Sequence, residues 1–178
     1  ELQVQVFNSV APVTRNIGEA SIEGVELEVS ASPADGWFIE GSLSMLNAEY
    51  DNIDTANTLI LKSNDFERVP ETMASVGVSK EFLLASSGSV MLRADWSYRS
   101  ETYNDAYNTP LLETDSYSLI DASVRWTNQQ GDWSVILSGR NLSDEQYLVT
   151  GVYGTAFQSF EGMYERGRQW RAEIRKTF

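Results

Sequence analysis

Residues Ser89–Thr102 read S-V-M-L-R-A-D-W-S-Y-R-S-E-T, and this stretch decides the fold. Val90, Leu92, Ala94, Trp96 and Tyr98 share one parity. Ser89, Met91, Arg93, Asp95, Ser97, Arg99 and Glu101 share the other. Side chains alternate across a β-strand, so one face is apolar and the other is charged. The run is long as well: a globular strand usually has about 5–6 residues. At ~3.3 Å per residue, fourteen residues reach ~46 Å. Tilted by ~45°, they cover more than the ~25 Å apolar band of an outer-membrane barrel.

The period repeats along the chain. Ile120, Ala122, Val124 and Trp126 alternate with Asp121, Ser123 and Arg125; Val25, Leu27, Val29 and Ala31 alternate with Glu26, Glu28 and Ser30. Trp133, Val135, Leu137 and Gly139 alternate with Ser134, Ile136, Ser138 and Arg140, and Trp170, Ala172, Ile174 and Phe178 with Arg171, Glu173, Arg175 and Thr177. Met91 and Ile136 interrupt the polar face, and Lys176 interrupts the apolar one. No segment sustains helical spacing. About eight strands are expected, at 2–8, 18–31, 37–50, 68–82, 89–102, 116–127, 132–141 and 164–178.

Connections alternate in length. Residues 32–36 (S-P-A-D-G), 83–88 and 128–131 (N-Q-Q-G) are tight turns of Gly, Ser, Asn and Asp. Between them lie long polar connections at 51–67, 103–115 and 142–163. Short turns therefore fall at one end of the sheet and long loops at the other, as in an outer-membrane barrel. A soluble sheet with one wet face gives the same alternation. Charges of both signs along the polar face, few Phe on the apolar face, and Trp or Tyr near strand ends all favour the membrane reading. The fold class expected is all-β: an antiparallel up-and-down transmembrane β-barrel segment of about eight meandering strands, with short periplasmic turns and long external loops.

Composition narrows the function. The 178 residues carry a net charge of −13, with no cysteine and no histidine. Disulfides, thiolate chemistry and histidine-based nucleophile pairs or zinc sites are excluded. The charge disfavours nucleic acid. No run approaches the ~18 apolar residues of a membrane helix. Glu1 opens directly into L-Q-V-Q-V without a signal peptide, which leaves either a cytoplasmic chain or a missing N-terminal portion.

Three quotable stretches fit a known family. Asn16–Glu28 (N-I-G-E-A-S-I-E-G-V-E-L-E), Arg140–Tyr147 (R-N-L-S-D-E-Q-Y) and a last strand ending in Phe178 occur in that order. Over essentially its whole length the chain resembles the C-terminal part of the β-barrel of TonB-dependent outer-membrane receptors. The resemblance implies that 1–178 is one barrel portion, that a plug domain and N-terminal strands are absent, and that the whole receptor imports a scarce nutrient, foremost an iron–siderophore complex. It places the chain in the bacterial outer membrane. Implied partners are outer-membrane lipid and lipopolysaccharide, the barrel-assembly machinery, the TonB complex through the missing N-terminal part, and a small molecule such as a metal chelate. Trp170, Ile174 and Phe178 would form the assembly signal, although Lys176 stands where that signal often has an aromatic.

The motifs also have plain physical readings. Gly24 permits a close approach, Glu26 and Glu28 face the lumen, Asn141, Ser143 and Asp144 form a turn, and Tyr147 is an interface aromatic. No catalytic constellation or cofactor site stands out, and the chain is read as a non-enzyme. Loop carboxylates (Asp51, Asp54, Asp65, Glu67, Asp105, Glu113, Asp144, Glu145, Glu161) either attract cations or keep the loops solvated. The ligand-contact candidates are Tyr103, Asn104 and Tyr107 in one long loop and Tyr153, Phe157 and Phe160 in the last. Two alternatives carry their own expectations. A free-standing eight-stranded barrel requires strand 2–8 to pair with 164–178. A soluble lipocalin-type barrel requires Trp96 and Trp126 to be buried.

Overall fold

The computed structural model describes residues 2–8, 11–53, 59–154 and 157–178. Its strands are β1 (Leu2–Asn8), β2 (Ala11–Ala31), β3 (Trp37–Ile53), β4 (Thr72–Leu83), β5 (Ser89–Arg99), β6 (Thr102–Tyr103), β7 (Glu113–Thr114), β8 (Tyr117–Thr127), β9 (Trp133–Arg140), β10 (Leu148–Gly154), β11 (Ser159–Tyr164) and β12 (Gln169–Lys176). Eight form one antiparallel sheet in the order β1-β2-β3-β4-β5-β8-β9-β12. The other four make two small hairpins, β6/β7 and β10/β11, inside the long connections.

All eight expected strands exist, with shifted ends. The strand expected from residue 68 starts at Thr72. Arg68 adopts a φ of 60°, and Pro70 has no N–H for a ladder. The strand expected from 164 starts at Gln169, because Tyr164 closes the β10/β11 hairpin opposite Leu148. The connection 142–163 is thus a structured hairpin over much of its length. Asp54, among the loop carboxylates read from the sequence, lies outside the described residues.

Register carries the alternation across the sheet. Trp96 pairs with Val76 and Ile120, Leu92 with Lys80 and Val124, and Val124 with Leu137. Cross-strand partners share a face, so these residues build one continuous apolar surface. That surface is the exposed one: Leu92 is 45% exposed, Trp96 38% and Leu137 47%. On the opposite face Arg93, Asp95, Ser97 and Asp121 are half-buried. The wall is inside-out relative to a soluble sheet, which contradicts the buried Trp96 that a lipocalin-type barrel requires. The buried apolar residues (Tyr50, Ile53, Ile60, Ala106, Leu112 and Leu148) all cluster at the long-loop end instead.

The polar face is laced by ion pairs. Arg93 donates to Asp95 through Nε (2.9 Å) and a terminal nitrogen (2.6 Å), and the same nitrogen reaches Glu40 on β3. Arg171 and Arg175 both bond Glu173, at 2.6 and 2.9 Å. Each such half-exposed pair contributes about 0–1 kcal/mol, so they order the face more than they stabilise it.

Residues 140–147 act as a staple. Asn141 is buried, with a φ of 51° that asparagine tolerates better than most residues. Its side-chain amide donates to the carbonyls of Glu145 (2.8 Å) and Arg166 (3.1 Å), while its Oδ1 accepts from the Glu145 N–H (2.9 Å). Its own N–H donates to Asp121 on β8 (2.8 Å), and the Leu142 N–H reaches the Ile120 carbonyl (2.7 Å). Asp144 accepts from the Arg168 N–H (2.7 Å). One turn thereby joins β8, β9 and the entry to β12, so its residues hold the sheet together.

The sheet does not close. β1 and β12 occupy opposite edges. β1 pairs only with the outer end of β2, from Ala11 to Gly18, whereas β3 pairs with Gly18–Ala31. The pairing of strand 2–8 with the last strand, required by a free-standing eight-stranded barrel, is not formed. Residues 2–8 instead pair with the part of β2 that lies beyond its rows with β3.

Candidate functional site

The long-loop end is a cross-braced cap. Tyr50, at the far end of β3, is 2% exposed and stacks on Phe66 with ring centroids 4.2 Å apart. Ile53, Ile60 and Ala106 complete this cluster, and Tyr107 packs against it. Asp65 and Asn108 lock the two loops reciprocally: the Asp65 N–H donates to Asn108 Oδ1 (2.7 Å) and Asn108 Nδ2 to the Asp65 carbonyl (3.1 Å). Asn64 adds a bond to the Ala106 carbonyl (2.9 Å). Asp105 accepts from both the N–H and hydroxyl of Thr109, so this loop acid caps a turn.

A second lock joins that loop to the β10/β11 hairpin. Asn104 is buried, and its amide donates to the Leu112 carbonyl (3.1 Å) and Thr114 Oγ1 (3.0 Å). Thr114 in turn donates to the Leu148 carbonyl (2.8 Å). Arg68 makes a third link, donating to Thr150 Oγ1 (2.8 Å).

The candidate contacts fall into two groups. Tyr103, Asn104 and Tyr107 come together in one packed unit, with Asn104 buried and both tyrosines half-buried. Burial, then nearby acids such as Glu113, raises the Tyr103 phenol above its ordinary value; burial and Asp105 do the same for Tyr107. These three brace the cap. Tyr153 and Phe160 are cross-strand partners on the hairpin, and Phe157 stands at its tip, 86% exposed. On the hairpin Phe157 and Phe160 are presented outward, whereas Tyr153 is half-buried like the two loop tyrosines.

The sequence places Arg99 on the polar face and reads Tyr147 as an interface aromatic, but it passes over Arg68 and the stacking of half-buried Tyr147 on Tyr117. Arg99 donates to the Arg68 carbonyl (3.2 Å) from the polar face of β5. Tyr147 stacks on Tyr117 at 3.7 Å, and its phenol is pushed up to about 12, first by burial and then by its contact with Tyr117. Parity marks Arg99 and Tyr117 as same-face residues. Nothing local marks Arg68, whose partner Thr150 lies 82 residues away. Glu26 and Glu28 pair with Ser44 and Ser42 on the polar face, as expected. A Cβ on Gly24 would stand 2.8 Å from the Met45 carbonyl oxygen, the close approach its position suggested. Among the described residues no group of His, Cys, Asp or Glu side chains could hold a metal.

The family model described as TonB dependent receptor-like, beta-barrel matches residues 2–142. The chain belongs to the TonB-dependent receptor β-barrel family. Solved structures share its fold. The ferric yersiniabactin uptake receptor FyuA from Yersinia pestis superposes with a TM-score of 0.80 at 23% identity, over 93% of this chain and 25% of that one. The siderophore receptor PiuA from Acinetobacter baumannii gives 0.73 at 23% identity, over 98% and 24%. The FpvAI–pyocin S2 complex gives 0.64 at 17%, over 94% and 20%. The chain thus spans about a quarter of the length of the first two. A comparison with curated protein sequences finds no match. As part of a TonB-dependent receptor barrel the wall lies in the outer membrane, its apolar face toward lipid, its short turns periplasmic and its braced loops external.

Proposed function

We propose that this chain is the C-terminal wall of an energy-coupled importer whose ligand is a small metal chelate, foremost an iron–siderophore complex. The observation that carries the reading is the cap: long external loops locked by buried Asn104, Arg68 and the Asp65–Asn108 pair, leaving the hairpin aromatics Phe157 and Phe160 as the presented surface, with Tyr153 half-buried beside Phe160. Rigid aromatics on a braced support offer a flat ligand contact surface at low entropic cost. Neighbours named as siderophore receptors support the ligand class. Transport would require a plug domain and the TonB complex, supplied by parts of the receptor outside residues 1–178. Trp170, Ile174 and Phe178, on one parity of the last strand, are proposed as the signal for the barrel-assembly machinery.

The test is binding of a panel of ferric siderophores to the complete receptor, followed by tryptophan fluorescence. Saturable binding of one chelate, weakened by F157A/F160A, supports the reading. A receptor that binds no ferric chelate but takes up another nutrient overturns the siderophore assignment.

A further inference from the structure

The chain has three lysines, Lys62, Lys80 and Lys176. Two lie where the alternation calls for an apolar residue. Lys80 pairs with Trp37 and Leu92, and Lys176 with Trp133, all positions of the lipid face. From Val25 to Lys176, the other described outward positions of the paired wall are uncharged.

Both lysines are framed by aromatics in the same way. The Lys80 ammonium lies 5.4 Å from the Trp37 ring centroid and 5.5 Å from Phe82. The Lys176 ammonium lies 4.7 Å from Trp133 and 5.5 Å from Phe178. Each also touches a short turn: Lys80 donates to the Asp35 carbonyl (2.7 Å), and Lys176 stands 3.8 Å from an Asp132 carboxylate oxygen. An ammonium has three N–H donors, so Lys80 keeps two after its turn contact.

The pair also shares one level in the membrane. Following the ladder from Lys80 through Leu92, Val124 and Leu137 crosses four strand steps to Ala172, and Lys176 is four residues further on. Four steps of ~4.8 Å across strands tilted ~40° shift the height by roughly 12 Å. Four residues along such a strand shift it by roughly 10 Å. Strand ends drift in the same sense: Trp37 is on Lys80's own row, whereas Trp133 lies four residues below it on β9. The two shifts cancel, and both ammonium groups sit in the periplasmic aromatic girdle.

We propose that Lys80 and Lys176 form two headgroup sites for anionic phospholipid in the periplasmic leaflet. The aromatic rings hold each ammonium at the lipid–water boundary, where the nearest mobile anion is a lipid phosphate. Each ammonium is a local cation on an otherwise uncharged stretch of the lipid face, and so the complement of that phosphate. Each lysine should favour an anionic headgroup by about fivefold.

Native mass spectrometry of the complete receptor, titrated with phosphatidylglycerol against phosphatidylcholine, tests this. The wild type and K80R/K176R should retain phosphatidylglycerol preferentially, K80Q/K176Q should lose the preference, and K62Q in the external loop should leave it intact. K80Q and K176Q are also read singly, so a double variant that misfolds does not end the test. An unchanged preference in the Gln variants overturns the proposal, because the lysines would then only brace their turns. Displacement of the lipid by inorganic phosphate also overturns it, in favour of a free-anion site.

Discussion

Gly77 lies directly opposite Asp95 in the β4–β5 ladder, and a Cβ on Gly77 would stand 2.8 Å from Asp95 Oδ1. It would also stand 3.0 Å from the Arg93 guanidinium and from Glu40 Oε1. The bare backbone is the floor on which Arg93 bridges two strands' carboxylates.

Gly77→Ala should therefore disturb that bridge. The crowding atoms are side-chain ends, which swing away, so the cost is lost ion pairing of about 1 kcal/mol or less. Denaturant midpoints of the complete receptor in bilayers measure it. In an Arg93→Met background the Gly77→Ala effect should largely vanish, since the atoms it displaces no longer form a bridge. Additive effects would show that Gly77 serves only backbone approach.

Asn141→Ala should be costlier. It forces alanine into a φ of 51° and removes amide bonds to two carbonyls and one N–H. Strain of about 1–2 kcal/mol adds to about 1–3 kcal/mol for buried groups left unpaired. Asn141→Gly relieves the first and keeps the second, so it should fall between Ala and wild type. Hydrogen exchange should report the loss at β9 and β12 first, because the staple spans those strands.

Tyr147 gives a pH signature. Its phenol is raised to about 12, chiefly by burial against Tyr117. A folded-state value above the ordinary one of ~10 means that the fold favours the neutral phenol. That stabilisation is complete below about pH 10 and is lost as pH rises through about 12. Absorbance titration near the tyrosinate band should show a late-titrating component that Tyr147→Phe removes, and protection of residues 141–147 should fade over the same interval.

What the sequence made legible is the wall. Period-2 alternation fixes which residues share a face, and loop length fixes which ends share a side, so Ser89–Arg99 and its neighbours were readable residue by residue. Strand ends were less so, because Arg68 and Tyr164 keep the alternation while their backbones serve a loop lock and a hairpin. The cap was nearly invisible. Its contacts join residues tens of positions apart, such as Asp65 with Asn108 and Arg68 with Thr150, and no local pattern encodes such pairs. Asn104 shows the consequence: a polar loop residue has the same appearance in sequence whether its amide meets a ligand or a buried carbonyl.

That ambiguity sets the last prediction, which separates support from contact. Phe157 is 86% exposed and Asn104 7%. Phe157→Ser removes little packing, so stability should stay within about 0.5 kcal/mol of wild type, while affinity for the ferric chelate falls severalfold with unchanged cap protection. Asn104→Ala leaves Thr114 without one partner and loosens the loop that Thr114 ties to the hairpin, at about 1–3 kcal/mol for unpaired buried groups. Its affinity should fall together with hydrogen-exchange protection of 102–116 and 148–164. If Asn104→Ala lowers affinity while protection of both segments holds, Asn104 touches the ligand directly. If Phe157→Ser leaves affinity unchanged for every chelate bound, the hairpin tip is not the contact surface, and substitutions at Arg99 and the Tyr117–Tyr147 pair on the polar face should lower it instead.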